Sequence, residues 1–348
     1  MKITRTDYFI NTDTETVDKT AGCLPDDLNS GQGKDQSSEL STGTGLRIAL
    51  LADFHNGDAD RALAIVREDV PDVIMIPGDV VIGYYPEDNK RIIDRCPNIK
   101  PFLEGCAELA PTYMSLGNHE CLLCDEELDE LRATGITILD NDWTELSVKI
   151  RQGDYAQDAA AGSEESGNMS GATDRAEEPV CHDDYEQNAP TRILVGGLTS
   201  GFAMNYRSFR DRVNSTRSEN EYIRYPERRR PRDIGKYPTD SSWLEDFAGE
   251  DGYKILLCHH PEYWSLRDPM LRDKRIDLVL SGHAHGGQWR ILGRGIYAPG
   301  QGVLPKYTSG VHYGPYGSLI VSRGLDNPYR KLPRWGNPCE VVYIEIYG

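Results

Sequence analysis

The run Ile276-Asp277-Leu278-Val279-Leu280 leads directly into Ser281-Gly282-His283-Ala284-His285-Gly286-Gly287-Gln288. The first part has the length and apolar character of a strand covered on both faces. The second has the composition of a turn. Two histidines one residue apart cannot share a face of a strand or helix, but on a glycine-bounded turn both imidazoles can point the same way. Imidazole is the commonest metal-binding side chain, and flanking glycines let the backbone crowd up to an ion. A His-x-His pair alone also fits an ordinary loop, so its weight depends on what the other apolar runs deliver.

Working outward, Leu46-Arg47-Ile48-Ala49-Leu50-Leu51-Ala52 ends in Asp53-Phe54-His55-Asn56-Gly57, a carboxylate and an imidazole two apart and thus on one side of an extended backbone. Asp58 is placed to cap a helix carrying Ala62, Leu63 and Val66 at helical spacing, closed by Pro71. The pattern repeats as Val73-Ile74-Met75-Ile76-Pro77 delivers Gly78-Asp79. After a helical stretch through about Ala110, Thr112-Tyr113-Met114-Ser115-Leu116 delivers Gly117-Asn118-His119-Glu120. Later, Tyr253-Lys254-Ile255-Leu256-Leu257-Cys258 runs into His259-His260-Pro261, where His259 is preferred because it directly ends the strand and proline constrains His260. Gly-Asp is a common turn and Asn-His can cap a helix, so each piece has a plain structural reading. Together they predict an α/β fold whose strand ends converge, the edge at which open α/β sheets bind ligands. These five loops contribute seven candidate metal ligands. Glu120 reads only as a carboxylate favouring the start of the next helix.

Taken in order, these motifs resemble those of the calcineurin-like metallophosphoesterases. Gly286-Gly287-Gln288, Ala298-Pro299-Gly300-Gln301-Gly302, Pro305-Lys306-Tyr307 and Val321-Ser322-Arg323-Gly324-Leu325 further resemble a bacterial subgroup. That subgroup is similar to the enzymes that cleave the pyrophosphate of UDP-diacylglucosamine and to cell-wall-associated phosphodiesterase-like proteins. The resemblance covers roughly residues 5 to 150 and 192 to 348. It implies a four-layer αββα sandwich, the metallo-dependent phosphatase fold, here with two insertions. It also implies one metal held by Asp53, His55 and His285, another by Asn118, His259 and His283, and Asp79 between them. A carboxylate can hold two cations, whereas a neutral imidazole serves one, which agrees with this division. Mn is the preferred metal, and Fe, Zn, Co or Ni also suit mixed oxygen and nitrogen donors. A hydroxide generated between the two ions would attack phosphorus in line, with His119 protonating the leaving group and, with Asn118, binding the phosphate.

The 348 residues are 38% hydrophobic, enough for a substantial core. A formal charge of -18 works against nucleic acid as a partner, and the resemblance implies a small phosphoester or nucleotide-like substrate. No long apolar run and no signal-peptide pattern is present, so the sequence reads as cytoplasmic without an integral membrane segment. Cys121 and Cys124 form a Cys-x-x-Cys pair without a second well-spaced pair, which disfavours a structural zinc site.

Residues 1–45 read as an N-terminal strand around Tyr8-Phe9-Ile10 followed by a polar connection, and 46–348 as the phosphoesterase domain. Residues 151–190 form an acidic, mobile insertion, expected to be the loop of a hairpin between Leu146-Ser147-Val148-Lys149-Ile150 and Arg192-Ile193-Leu194-Val195. Residues 205–236 are arginine-rich with interleaved aromatics. They fit either a charged surface paired with acidic groups or a substrate cap in which Arg228, Arg229 and Arg230 bind phosphate. The alternatives to a small-molecule phosphoesterase are a nuclease and a non-catalytic scaffold of the same fold.

Overall fold

The structure is a computed structural model, and it describes residues 2–12, 45–82, 91–120, 123–147, 192–200, 239–327 and 332–347. The acidic insertion at 151–190, the arginine-rich stretch at 205–236 and most of the polar connection at 13–44 lie outside the described residues.

The expected apolar runs form strands. From the N-terminus come β1 (Ile3–Asn11), β2 (Gly45–Leu50), helix α1 (Ala59–Glu68), β3 (Val73–Ile76), α2 (Ile99–Leu109), β4 (Thr112–Ser115), α3 (Asp125–Arg132) and β5 (Thr137–Leu139). There follow β6 (Asp142–Glu145), β7 (Ile193–Leu198), α4 (Leu244–Gly249), β8 (Tyr253–Cys258) and β9 (Leu278–Ser281). Two small ribbons, β10 (Arg290–Ile291) with β11 (Arg294–Gly295) and β12 (Tyr297–Ala298) with β13 (Gly302–Val303), precede β14 (Gly310–Tyr313), β15 (Ser318–Val321) and β16 (Cys339–Tyr347).

Two six-stranded sheets result, ordered β1-β16-β2-β3-β4-β5 and β14-β15-β9-β8-β7-β6. In the first, β2 to β5 run parallel, and β16 enters antiparallel to β2 with β1 parallel beside it. In the second, β15, β9, β8 and β7 are parallel, and antiparallel edge strands flank them.

Strand residues alternate between two cores because successive side chains leave opposite faces. Ile48 and Leu50 of β2 and Ile255 and Leu257 of β8 meet in the layer between the sheets. Ala49 and Leu51 instead pack on the outer side, with Leu63 and Val66 of α1 and Phe102 and Leu103 of α2. Leu256 and Cys258 face the other outer layer, with Phe247 of α4 and Trp264. The order is therefore helix, sheet, sheet, helix, the expected αββα sandwich.

Local capping follows the sequence. The Asp58 side chain accepts the Arg61 amide at 3.1 Å and starts α1. The hairpin into β7 differs from expectation, because its first strand is Asp142–Glu145, earlier than Leu146–Ile150. The polar Asp-Trp-Thr-Glu run tolerates this edge position because one side faces solvent, and Trp143 stacks on Trp243 at 5.8 Å. The Leu146 amide still donates to the Ile193 carbonyl, and residues 148–150 lie outside the described residues.

Candidate metal centre

The C-terminal ends of β2, β3, β4, β8 and β9 meet where the two sheets converge. Backbone bonds lock the first loops together: the Asp53, His55 and Asn56 amides donate to the carbonyls of Gly78, Asp79 and Val80. Within the second sheet the Gly282 amide donates to the His259 carbonyl, and across the sheets the His283 amide reaches both Asp53 carboxylate oxygens at 3.1 Å. Gly78 and Gly117 allow a close approach, since a Cβ on Gly78 would stand 2.3 Å from the Gly117 nitrogen.

Asp53 and His55 do not have the extended backbone expected from their spacing: both lie in the left-handed region, with φ of 53° and 45°, and so do Asp79 (57°), His283 (65°) and His285 (47°). Such backbone is uncommon for any residue but glycine, although Asp and His take it more readily than most, and five instances in one site persist where the surrounding contacts over-determine it.

Three groups of donor atoms lie within 4.8 Å of one another: Asp53, His55 and His285; Asp79, His259 and His283; and His55, Asp79 and His119. Asp79 Oδ2 stands 3.0 Å from His259 Nε2 and 3.7 Å from His55 Nε2, between the first two groups. Asp53 Oδ1 is 3.8 Å from His55 Nε2 and 3.9 Å from His285 Nε2. Asn118 sits between Gly117 and His119, and the His119 amide donates to Asp79 Oδ1 at 3.0 Å. His259 belongs to the cluster, whereas His260 packs on His283 with ring centroids 4.1 Å apart. Arg228, Arg229 and Arg230 lie outside the described residues.

The residues present fit metal ions. His55 Nδ1 is 3.3 Å from the Val81 carbonyl and His259 Nδ1 is 3.0 Å from the Pro77 carbonyl, which orients each ring with Nε2 toward the cluster. The Nε2 atoms of His55 and His283 are buried without a hydrogen-bond partner, and that of His259 faces only the Asp79 carboxylate. Buried polar atoms are rarely left so, and a cation is the partner that a neutral imidazole aimed at carboxylates would take.

The charges are tuned by burial and by each other. Burial raises the Asp53 carboxyl to about 7, with His259 opposing and Asp79 adding to the rise. Burial also works to raise Asp79, yet the His259 and His119 imidazoles hold it well below the usual carboxylate range. Burial lowers His55 to about 3 and takes His283 and His285 well below the ordinary imidazole value. His259 goes the other way: burial works to lower it, but the Asp79 and Asp53 carboxylates raise it to about 9. His119, half-buried where the other cluster histidines are buried, is lowered by burial.

Two groups escaped the sequence reading. Glu120 does not start a helix, since α3 begins at Asp125 with Cys124 and Glu127 as its capping pair. Its buried carboxylate instead accepts the amides of Asp79, Val80 and Gly117 at 2.8 Å and of Val81 at 3.1 Å. Arg334 is the other: it donates to the Arg323 and Asp326 carbonyls, and its Nη2 lies 3.2 Å from His285 Nδ1. Of the Cys-x-x-Cys pair, Cys124 Sγ donates to Glu127 and Cys121 lies outside the described residues.

Glu120→Ala removes the acceptor for four buried amides. Each orphaned donor costs about 1–3 kcal/mol, so we expect a loss of at least about 4 kcal/mol in urea unfolding, together with lost metal. Glu120→Gln, which keeps one oxygen, should fall between. A second expectation concerns pH. Metal loading must displace a proton from His259 below about pH 9 and from Asp53 below about pH 7. Affinity should therefore rise with pH, roughly tenfold per unit from 7 to 9 and more steeply below 7. Calorimetric Mn titration in buffers of different ionisation enthalpy reads both affinity and protons released, and a flat profile would contradict these assignments.

The uncharacterized protein YpbG of Bacillus subtilis (strain 168) is 36% identical over 72 residues, 21% of this chain and 27% of that protein. The chain thus matches about a quarter of that relative's length. Among solved structures, a dimetal phosphatase from Danio rerio aligns at 12% identity with a TM-score of 0.40, over 80% of this chain and 87% of the other. The calcineurin-like phosphoesterase YfkN from Bacillus subtilis aligns at 15% identity with a TM-score of 0.34, over 81% and 82%. The family model described as calcineurin-like phosphoesterase matches residues 46–287, from the strand that delivers Asp53 through the turn that carries His283 and His285, and the chain belongs to that family.

Proposed function

We propose that the protein is a hydrolase of phosphoester bonds that works with two metal ions and prefers phosphodiester or pyrophosphate linkages. Family membership supports the reaction class, and the finer subgroup rests on the sequence resemblance to enzymes that cleave UDP-diacylglucosamine and to cell-wall-associated phosphodiesterases. One observation carries the reading: the buried Nε2 atoms of His55 and His283, which lack a hydrogen-bond partner, stand with that of His259 around the Asp53 and Asp79 carboxylates. Asp53, His55 and His285 would hold one ion, Asn118, His259 and His283 the other, and Asp79 both. Mn is the preferred metal, with Fe, Zn, Co or Ni also suited to these donors. When bound, two such ions supply Lewis-acid charge at a phosphoryl group and make water more acidic.

The protein's own groups do the rest. Asp79 and Asp53 concentrate negative charge in a dry pocket, where Coulomb interactions are strong. Asn118 donates its amide to a phosphate oxygen. His119 has the exposure needed to meet substrate, and its lowered pKa makes it a strong proton donor to the leaving oxygen whenever it carries a proton. The Arg228, Arg229 and Arg230 stretch acts in this reading as a cap that recognises a diphosphate.

A panel of Mn-loaded protein against bis-p-nitrophenyl phosphate, p-nitrophenyl phosphate, UDP-sugars and single-stranded DNA tests the assignment. Turnover should favour the diester and UDP-sugars. DNA as the best substrate would make the protein a nuclease, and no turnover of any kind would make it a scaffold. His119→Ala should keep full metal content yet lose about 10²–10⁴-fold in kcat on esters with a poor leaving group, and far less with p-nitrophenolate. Replacing Arg228, Arg229 and Arg230 by Ala should raise KM for UDP-sugars and leave bis-p-nitrophenyl phosphate unchanged; equal kinetics on both would remove the cap.

A further inference from the structure

The exposed large apolar side chains of this protein are not scattered. Among the described residues, Val70 and Leu266 are isolated cases, and every other one falls between Trp289 and Trp335. Leu292 is 89% exposed, Val303 73%, Leu304 72% and Trp335 64%. Backbone bonds bring them onto one rim. Trp289 bridges Trp335, the Ile296 amide donates to the Trp289 carbonyl, and the Leu304 amide donates to the Ile296 carbonyl. Leu292 is at the tip of the β10–β11 ribbon, in the two-residue turn between Ile291 and Arg294.

Solubility does not explain these residues, and neither does the backbone. Leu292 and Leu304 adopt φ of 49° and 54°, conformations that glycine, asparagine and aspartate take far more readily than leucine. A leucine kept there at high exposure is wanted for its side chain. The charge around it is also unusual. From Trp289 to Trp335 the sequence holds Arg290, Arg294 and Lys306 on or beside the ribbons, and its single acidic residue is Asp326, in a chain of formal charge -18. Arg294 and Lys306 are exposed.

We infer that this rim docks on an anionic phospholipid bilayer, with the leucine tips and tryptophans in the headgroup boundary and the basic side chains on the lipid phosphates. Apolar tips, interfacial tryptophans and adjacent cations are the chemistry of a surface that lies on a membrane. On a strongly acidic chain, a locally basic and apolar face is complementary to that surface and to few others. The rim starts one residue past Gln288, directly after the turn that carries His283 and His285, so docking would hold the metal cluster near the bilayer. No helix among the described residues is long and apolar enough to cross a membrane. The inference does not depend on what the metal cluster hydrolyses.

Vesicle co-sedimentation tests it without any turnover assay. The full chain should pellet with phosphatidylcholine vesicles containing about 30% phosphatidylglycerol, less with neutral vesicles, and less again in high salt. Leu292→Asp combined with Leu304→Asp should cut the pelleted fraction about tenfold or more, because it places charge at the insertion depth. Aspartate suits the left-handed backbone, so the thermal midpoint should hold or rise. The idea is overturned if the natural protein ignores anionic vesicles or the double variant pellets equally. It is also overturned if light scattering shows that the double variant abolishes a dimer, which would make the rim an interface between copies.

Discussion

The site depends on one carboxylate that touches no substrate. Glu120 gathers amides from the loop after β3 and the loop after β4, and so fixes where Asp79 stands relative to His119. A buried carboxylate that accepts several N–H bonds would ordinarily be stabilised as an anion. Here burial and the nearby Asp79 outweigh those bonds, and Glu120 is raised to about 7. The loop geometry is thus held at an electrostatic cost, and that cost sets the character of the centre beside it.

Buried carboxyls from Asp53, Asp79 and Glu120 lie close to imidazoles that burial drives neutral. Without a cation, protons fill the role: His259 stays protonated to about 9 and Asp53 to about 7. A pair of dications would replace those protons and give the orphaned Nε2 atoms their partners. The left-handed backbone at Asp53, His55, Asp79, His283 and His285 fits the same account, because such strain is retained when the fold holds donors for a ligand. Burial, charge and backbone conformation point to one kind of occupant.

Much of this was legible in the sequence, and the reason is burial on both faces. Strands β2, β3, β4, β8 and β9 show as continuous apolar runs, because helices cover one side and the second sheet the other. Their loop residues follow at once, so Asp53, His55, Asp79, His119, His259, His283 and His285 could be named. Strand β6 was misplaced because an edge strand need not be apolar, and Asp142-Trp143-Thr144-Glu145 carries no period-two signal. Glu120 was misread for a different reason. Its partners near Asp79 are some forty positions away, and a carboxylate near an expected helix start has a local explanation that hides a distant one. Arg334 meets His285 across an irregular segment with no periodicity at all.

The conformation of Asp53 and His55 shows how a right placement can follow from a wrong path. Alternation on an extended backbone would put both on one side, but the chain has already left the strand at Leu50 and turned left-handed. What holds the two residues together is the crossing of loops, in which the Asp53 carbonyl accepts the Asp326 amide and its carboxylate accepts that of His283. These bonds join segments from both sheets and from the far end of the chain. The centre is therefore a product of sheet packing rather than of any one motif. A change that shifts one sheet against the other would disturb the donors even if every ligand were kept.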